Sequence, residues 1–407
     1  MKKTIAVKMA ISALALPLAL LAGSPALADV SVKLGILNDR SGIVADSSGE
    51  GSVIAAELAV EDFQAASKGI NVHVVAADHQ NKPDVGLNIA RGWFDQDNVD
   101  VILDVPISSI AFAVSSLTKE RNKILITSTG GSSELTGARC SPNTFNWTYD
   151  TWSLAHSTGT EITRRGGKTW FLISVDYAFG HQLQKDTTEA VESAGGKVIG
   201  AVRTPFLAVD MSSFLLQAQS SGADVIGLAN GTDQTRESMK QSWEFGLQQS
   251  GKKMAAMIMA ITDVKALGLE AGQGLLLSEP FYWDLNDRTR AFTKRFSERN
   301  KGRVPTMFQA GVYSATLHYL KAVAAAGTKD TEAVLAKMKS MPTDDDAFGV
   351  GAVLGNGRKI HAMHLFEVKK PAESKGEWDL YKLVATTPAE SAFLPVAKSG
   401  CAHAQGK

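Results

Sequence analysis

The sequence predicts an α/β protein whose strands form two doubly wound open sheets in separate lobes. Three observations carry this expectation. Nine strand-length runs rich in Val, Ile and Leu occur before residue 280: 30–37, 72–77, 99–105, 123–127, 169–175, 197–202, 224–229, 254–260 and 274–278. Most do not alternate with polar residues, as expected of strands covered on both faces of a parallel sheet. Helix-period segments separate them; in the first, Val53, Ala56, Val60 and Phe63 recur at intervals of three and four and share one face. Strand–helix alternation implies right-handed crossovers. Finally, nine strands exceed one comfortable open sheet, and the rhythm pauses at 143–151, which reads as a crossing between lobes.

The N-terminus reads as an export leader, residues 1–28. Lys2, Lys3 and Lys8 precede an apolar run from Met9 to Ala22, and Ala26-Leu27-Ala28 is a small-x-small cleavage site. The run is about 14 residues, short of the roughly 20 that span a bilayer, although an uncleaved anchor is the alternative. Removing 28 of 407 residues leaves 379, a size that favours two domains. Removing three lysines from 42 basic groups set against 42 acidic ones leaves a net charge near −3, so no electrostatic case exists for nucleic acid. The expected compartment is the periplasm. Its oxidising conditions favour a Cys140–Cys401 bridge over two unpaired thiols. Closing so long a loop stabilises by roughly 4–5 kcal/mol in the chain-entropy model.

After residue 285 the sequence predicts two long helices, a Gly-rich stretch at 349–357, and a small antiparallel addition from 361–368 and 378–384. Asp344-Asp345-Asp346 reads as a solvated loop. His361 and His364 lie three apart in a strand and so point to opposite faces, which argues against a shared metal.

Open α/β sheets bind ligands beyond the carboxyl ends of their strands. Two such ends, Pro106-Ile107-Ser108-Ser109 and Ser128-Thr129-Gly130-Gly131-Ser132-Ser133, are hydroxyl-rich and open helices. Free amides and hydroxyls at a helix start suit an anion such as a carboxylate; the alternative is that these residues are ordinary N-caps. Aromatic residues gather near the expected cleft: Trp147, Tyr149, Trp152, Tyr177, Phe179, Tyr282 and Trp283. They could wall a small ligand or simply fill the core. No Gly-x-Ser-x-Gly elbow, His-Glu-x-x-His, phosphate-binding loop or Gly-x-Gly-x-x-Gly follows a strand, so no enzyme activity, metal or cofactor is expected.

Several stretches together resemble a known family: 32–42, 76–85, 101–113, 124–136, 175–183, 206–223 and 224–230. In order and spacing they look like the type I periplasmic binding proteins of the branched-chain amino acid class of ATP-binding-cassette (ABC) importers. The resemblance implies two Rossmann-like lobes joined by three crossovers, one holding 29–149 and 281–348, the other 150–280 and 349–407. It implies that a ligand carboxylate meets Ser108 or Ser109, Thr129, Gly131 and Ser132, and that Asp263 takes an amino group. Closure would add Asp150, Tyr177, Phe179, Asn230 and Thr232. Ser47 or Ser48 stands where the family has a first-loop tyrosine, the family's early paired cysteines are missing, and the 147–152 region is more aromatic. These departures leave a small carboxylate (amino acid, amide or aromatic acid) rather than leucine itself as the implied ligand. The implied partner is an inner-membrane ABC permease served by a monomer. A ligand sensor of the same fold and a hydrolase or amidase with a dispersed site are the rival readings.

Overall fold

The computed structural model describes residues 1, 30–206 and 208–404, so the expected leader lies outside the described residues. Five strands form the first sheet: β1 (Val30–Asn38), β2 (Ile70–Asp78), β3 (Val101–Asp104), β4 (Ile124–Thr127) and β5 (Thr144–Asn146). They are all parallel, in the order β2-β1-β3-β4-β5. The second sheet contains β6 (Thr169–Val175), β7 (Lys197–Thr204), β8 (Val225–Ala229), β9 (Lys253–Ala256) and β10 (Leu276–Glu279). These run β7-β6-β8-β9-β10, repeating the order of the first sheet. Each lobe therefore has its own point where the winding reverses, between β1 and β3 and between β6 and β8.

A third, smaller sheet contains β11 (Thr343–Asp345), β12 (Gly349–Val353) and β13 (Lys359–Ile360), all antiparallel. Asn146 of β5 bridges to Arg358, which places this sheet beside the first. Then β14 (Met363–Val368) and β15 (Tyr381–Thr387) add antiparallel to β10, as the antiparallel reading of the C-terminal region expects. The Asp344–Asp346 run is not a free loop. Arg288 pairs with Asp344 (2.7 Å) and Asp346 (2.9 Å), and buried Asp345 accepts from Ser314 Oγ (2.6 Å). The cations that pair with this run sit 50 or more residues upstream on the helix Asp287–Arg299, beyond the reach of local pattern.

Local chemistry explains the elements that carry the site. The strands β3, β4 and β8 are buried at every position, as non-alternating runs require. The helix Met307–Ala326 is apolar nearly all round and buried along most of its length, against the helix Gly49–Phe63. Its start is a reciprocal cap: Thr306 Oγ1 accepts from Gln309 N (3.3 Å), and Gln309 Oε1 accepts from Thr306 N (3.0 Å). Gly51 leaves room for that glutamine, since a Cβ there would lie 2.2 Å from Gln309 Nε2.

Among the described residues the chain passes between the two large sheets at 147–151, 280–286 and 361–362. The first and third passages are bound together by Arg358, which is 1% exposed. Its guanidinium donates to the carbonyls of Trp147 (2.6 Å), Tyr149 (2.8 Å) and Lys359 (2.7 Å), and lies 3.6 Å from Asp150. Burial lowers its pKa to about 10, so it stays charged at neutral pH. The Cys140–Cys401 disulfide is present, joining the C-terminal tail to the first lobe.

Replacing Arg358 by Met removes the donor to the carbonyls of Trp147, Tyr149 and Lys359 and leaves the Asp150 carboxylate without its cation. We expect a loss of about 3–5 kcal/mol in unfolding free energy, checked by urea denaturation.

Candidate functional site

A cavity of about 330 Å³ lies between the lobes, beyond the carboxyl ends of β1, β3 and β4 on one side and of β6 to β9 on the other. Both reversal points open onto it, the place where open α/β sheets hold ligands. The first-lobe wall is Ile43, Val44, Pro106, Ile107, Ser108, Thr129, Tyr149 and Phe308. Across from it stand Val175, Tyr177, Phe179, Phe206, Ala208, Val209 and Ile258, with Asp233, Gln234, Arg236 and Glu237 at a polar end.

The turn after β3 has an uncommon backbone. Asp104, Val105 and Ile107 have φ of 78°, 53° and 70°, a left-handed region that β-branched residues rarely enter. Such residues cost of order 1–3 kcal/mol each and persist only where their surroundings over-determine them. Here the Asp104 carboxylate is fully buried and accepts from Asn38 Nδ2 (3.1 Å), Ser48 Oγ (2.8 Å) and Thr129 Oγ1. Thr127 Oγ1 donates to the Asp104 carbonyl (2.9 Å), and Val105 N to Leu37 O (3.0 Å). The network ties the ends of β1, β3 and β4 together, aims Ile107 at the cavity and starts the helix Ser108–Glu120 there. Ser48, one of the two serines that stand where the family has a tyrosine, serves this network instead of the cavity.

Of the ligand contacts that the family resemblance implies, Ser108, Thr129, Tyr177 and Phe179 line the cavity, as does Tyr149 of the expected aromatic group. Ser108 Oγ accepts from Ser132 N (3.2 Å), which leaves its O–H free to donate. The Thr129 hydroxyl is committed to Asp104. Burial holds the Tyr177 phenol well above its ordinary pKa, so it remains a neutral donor.

Other implicated residues stand behind the wall. Ser109 is half-buried on the helix flank. Gly131 is a packing site: a Cβ there would lie 2.3 Å from the Tyr149 ring, whose O–H donates to Thr129 O (2.7 Å). Ser132 supplies the amide that fixes Ser108. Asp150 caps the helix Thr151–Ala155 through Ser153 N (2.7 Å). Asn230 is spent on Ser238 and Thr235 (3.3 and 2.8 Å) at the base of the helix Thr232–Glu244. Thr232 opens that helix, and its side chain lies outside the described residues. Asp263 accepts from Ala260 N (3.0 Å) and sits 3.7 Å from Arg236 Nη1, one step removed from the cavity. Burial raises its pKa to about 7 against the pull of Arg236.

The expected aromatic ring around the cleft divides likewise. Trp147 is core and donates to Ser314 Oγ (2.8 Å), while Trp152 stacks on His156. Tyr282 packs against Phe366 and Tyr381 in the second lobe, and Trp283 bonds Trp378 O (2.7 Å). Sequence reasoning missed Phe206, Phe308 and Arg236. Phe308 comes from a distant helix start, with no local signal. Arg236 lies seven residues past the β8 end, one turn into the helix Thr232–Glu244, and its charge there is the signal that could have found it. Its guanidinium is 2.8 Å from Asp233 and 3.8 Å from Glu237.

Two outcomes follow. Gly131→Ala displaces Tyr149 and should lower stability by about 1–3 kcal/mol, read by thermal denaturation. Asp263 keeps a proton in the folded state up to about pH 7, whereas the unfolded carboxyl loses it near 3.8. Its contribution to stability is therefore lost as pH rises between these values. Asp263→Asn should flatten that decline by up to about 1.4 kcal/mol per pH unit, measured by denaturant titrations from pH 4 to 8.

Residues 31–377 match the family described as periplasmic binding protein. A periplasmic binding protein from Burkholderia mallei is 43% identical, with TM-score 0.88 over 92% of this chain and 99% of that one. A branched chain amino acid ABC transporter periplasmic ligand-binding protein from Burkholderia xenovorans LB400 is 41% identical, with TM-score 0.85 over 92% and 100%. The fold is also shared with a Rhodopseudomonas palustris ABC transporter solute binding protein solved with benzoate, at 20% identity and TM-score 0.79 over 91% and 99%. With the family pattern spanning most of its length and both reversal points facing one interlobe cavity, the chain belongs to the periplasmic binding proteins, the ligand-binding components of ABC transporters.

Proposed function

We propose that this protein captures a small carboxylate bearing an apolar, preferably aromatic, body and delivers it to an inner-membrane ABC permease. The carrying observation is a cavity with an aromatic wall on each lobe. Tyr149 and Phe308 pack together on one side (5.6 Å between centroids), and Tyr177 with Phe206 on the other (5.1 Å). A planar or branched apolar group between them buries both faces, and offset or edge contacts with rings add about 0.5–1.5 kcal/mol each. The Ser108 hydroxyl and the first amides of its helix are the donors for the carboxylate. At the other end Arg236 is flanked by Asp233 and Glu237, so that pole is not cationic on balance and suits a hydrogen-donating or cationic substituent.

Contacts from both lobes make ligand binding favour the closed arrangement, because only differential contacts shift such an equilibrium. For the lobes we propose a partition in which 30–149, 281–360 and the tail around Cys401 move together, and 150–280 with 363–387 form the other body. The relatives named for ABC transport support the importer role, and the apolar run at 9–22 supports export by a cleaved leader.

The test is a thermal-shift screen of the mature protein with benzoate, hydroxybenzoates, phenylalanine, leucine and benzamide, followed by calorimetry. A carboxylate present at about 100 times its Kd should raise stability by about 2.7 kcal/mol. Ser108→Ala should weaken it by about 1–2 kcal/mol, and Tyr177→Ala by about 1–3 kcal/mol. Failure of every carboxylate to bind, or wild-type affinity in both variants, would refute the reading.

A further inference from the structure

Three passages join the lobes through the main chain, and the C-terminal tail makes another link. It leaves the second lobe at the end of β15 (Thr387) and reaches the first lobe at Cys401, which is bonded to Cys140. On the way it crosses the hinge. Ala392 and Phe393 are buried, and the short helix Ala389–Ala392 lies against β13. The Phe393 ring covers the Arg358 guanidinium at 4.5 Å and meets His361 edge-on at 5.3 Å. Arg358 is the group that binds the first and third passages together, and His361 lies in the third.

Beside the tail the lobes touch directly. Ser133 Oγ of the first lobe donates to Asp186 Oδ2 of the second at 3.0 Å. A polar cavity of about 230 Å³ there is walled by Glu134 and Gly137, by Asp186 and Glu189, and by Leu394 and Ser399 of the tail. Gly137 approaches the tail so closely that a Cβ would lie 3.1 Å from Ser399 O. The tail is therefore fitted to both lobes in the arrangement where they meet.

We propose that the tail 388–401, locked by the Cys140–Cys401 disulfide, is a strap across the hinge that holds the lobes toward their closed arrangement. Length alone does not make it restrain. Fourteen residue steps extend to roughly 48 Å, enough slack for an opening hinge. The restraint comes from seating: the disulfide fixes one end, β15 the other, and Phe393 is plugged over Arg358 between them. Opening draws β15 away from the seated part of the tail, so it must unplug the ring or stretch the short link between Thr387 and Phe393. Without the disulfide the far end is free, and termini not tied down fray.

The test needs no ligand, so it is independent of the ligand proposed above. Small-angle X-ray scattering and native-state hydrogen exchange are compared for the oxidised mature protein, the same protein under reductant, Cys140→Ser/Cys401→Ser, and Phe393→Ala with its disulfide intact. The strap predicts a larger radius of gyration in all three altered forms, with exchange at 147–151 and 358–362 faster by roughly tenfold. A lower melting temperature with unchanged scattering and unchanged exchange at the hinge would reduce the disulfide to a stability staple and overturn the proposal. Phe393→Ala keeps the cross-link, so loss of folding in the cysteine variant would not shelter the idea.

Discussion

A guanidinium taken out of water must find acceptors, and Arg358 finds them in the backbone of the passage between the lobes. That requirement shapes much of what surrounds it. The carbonyls of Trp147 and Tyr149 are held where the chain leaves the first sheet, so the third passage and the first become one unit. The neighbouring residue, Lys359, is also buried; its ammonium lies 4.3 Å from the Phe348 ring centroid and 5.7 Å from that of Trp147. Burial pulls its pKa down to about 7 against the opposing pull of Asp345. Tyr149, whose carbonyl Arg358 holds, turns its ring to the cavity. Hinge geometry and binding-wall geometry are consequently set by the same few bonds.

The other organising group is Asp104. Its buried carboxylate converts three strand ends into one platform and sustains a backbone that Val105 and Ile107 would not adopt alone. The local strain is of the kind that functional sites hold, and here it points a strand-end side chain and a helix start at one spot. Tyr149 is then laid across the platform through Thr129 and the missing side chain of Gly131. Little of this wall can move independently, whereas the opposite wall includes Phe206 and Val209, which remain partly open to solvent. One wall is thus rigidly braced, and the wall across from it is apolar and more exposed.

The interlobe surface is asymmetric about the hinge. On one flank the aromatic walls leave a cavity that a ligand must fill. On the other, Ser133–Asp186 and the tail fill the contact from within the chain. In this arrangement the lobes are joined across that flank by interactions that belong to the protein itself. The disulfide lies on the self-sufficient flank, where added order does not obstruct entry to the cavity.

The class of fold was legible in the sequence, because buried parallel strands must be apolar at successive positions and the helices between them must be amphipathic. The sequence also located strand ends that matter, since ligands meet such sheets there: Ser108, Thr129, Tyr177 and Phe179 all reach the cavity. Composition and compartment sufficed for the disulfide. Only the tertiary structure decided which hydroxyl remained free, since Ser108 and Thr129 look alike in sequence and differ by the arrival of Asp104 at one of them. It alone brought Phe308 and Arg236 to the site, moved Asp263 and Asn230 behind it, and turned the Asp344–Asp346 run into a paired strand end. Period and propensity act within a turn or a strand, whereas these assignments depend on side chains tens to hundreds of residues apart. Folding had to bring those partners together before their roles were settled.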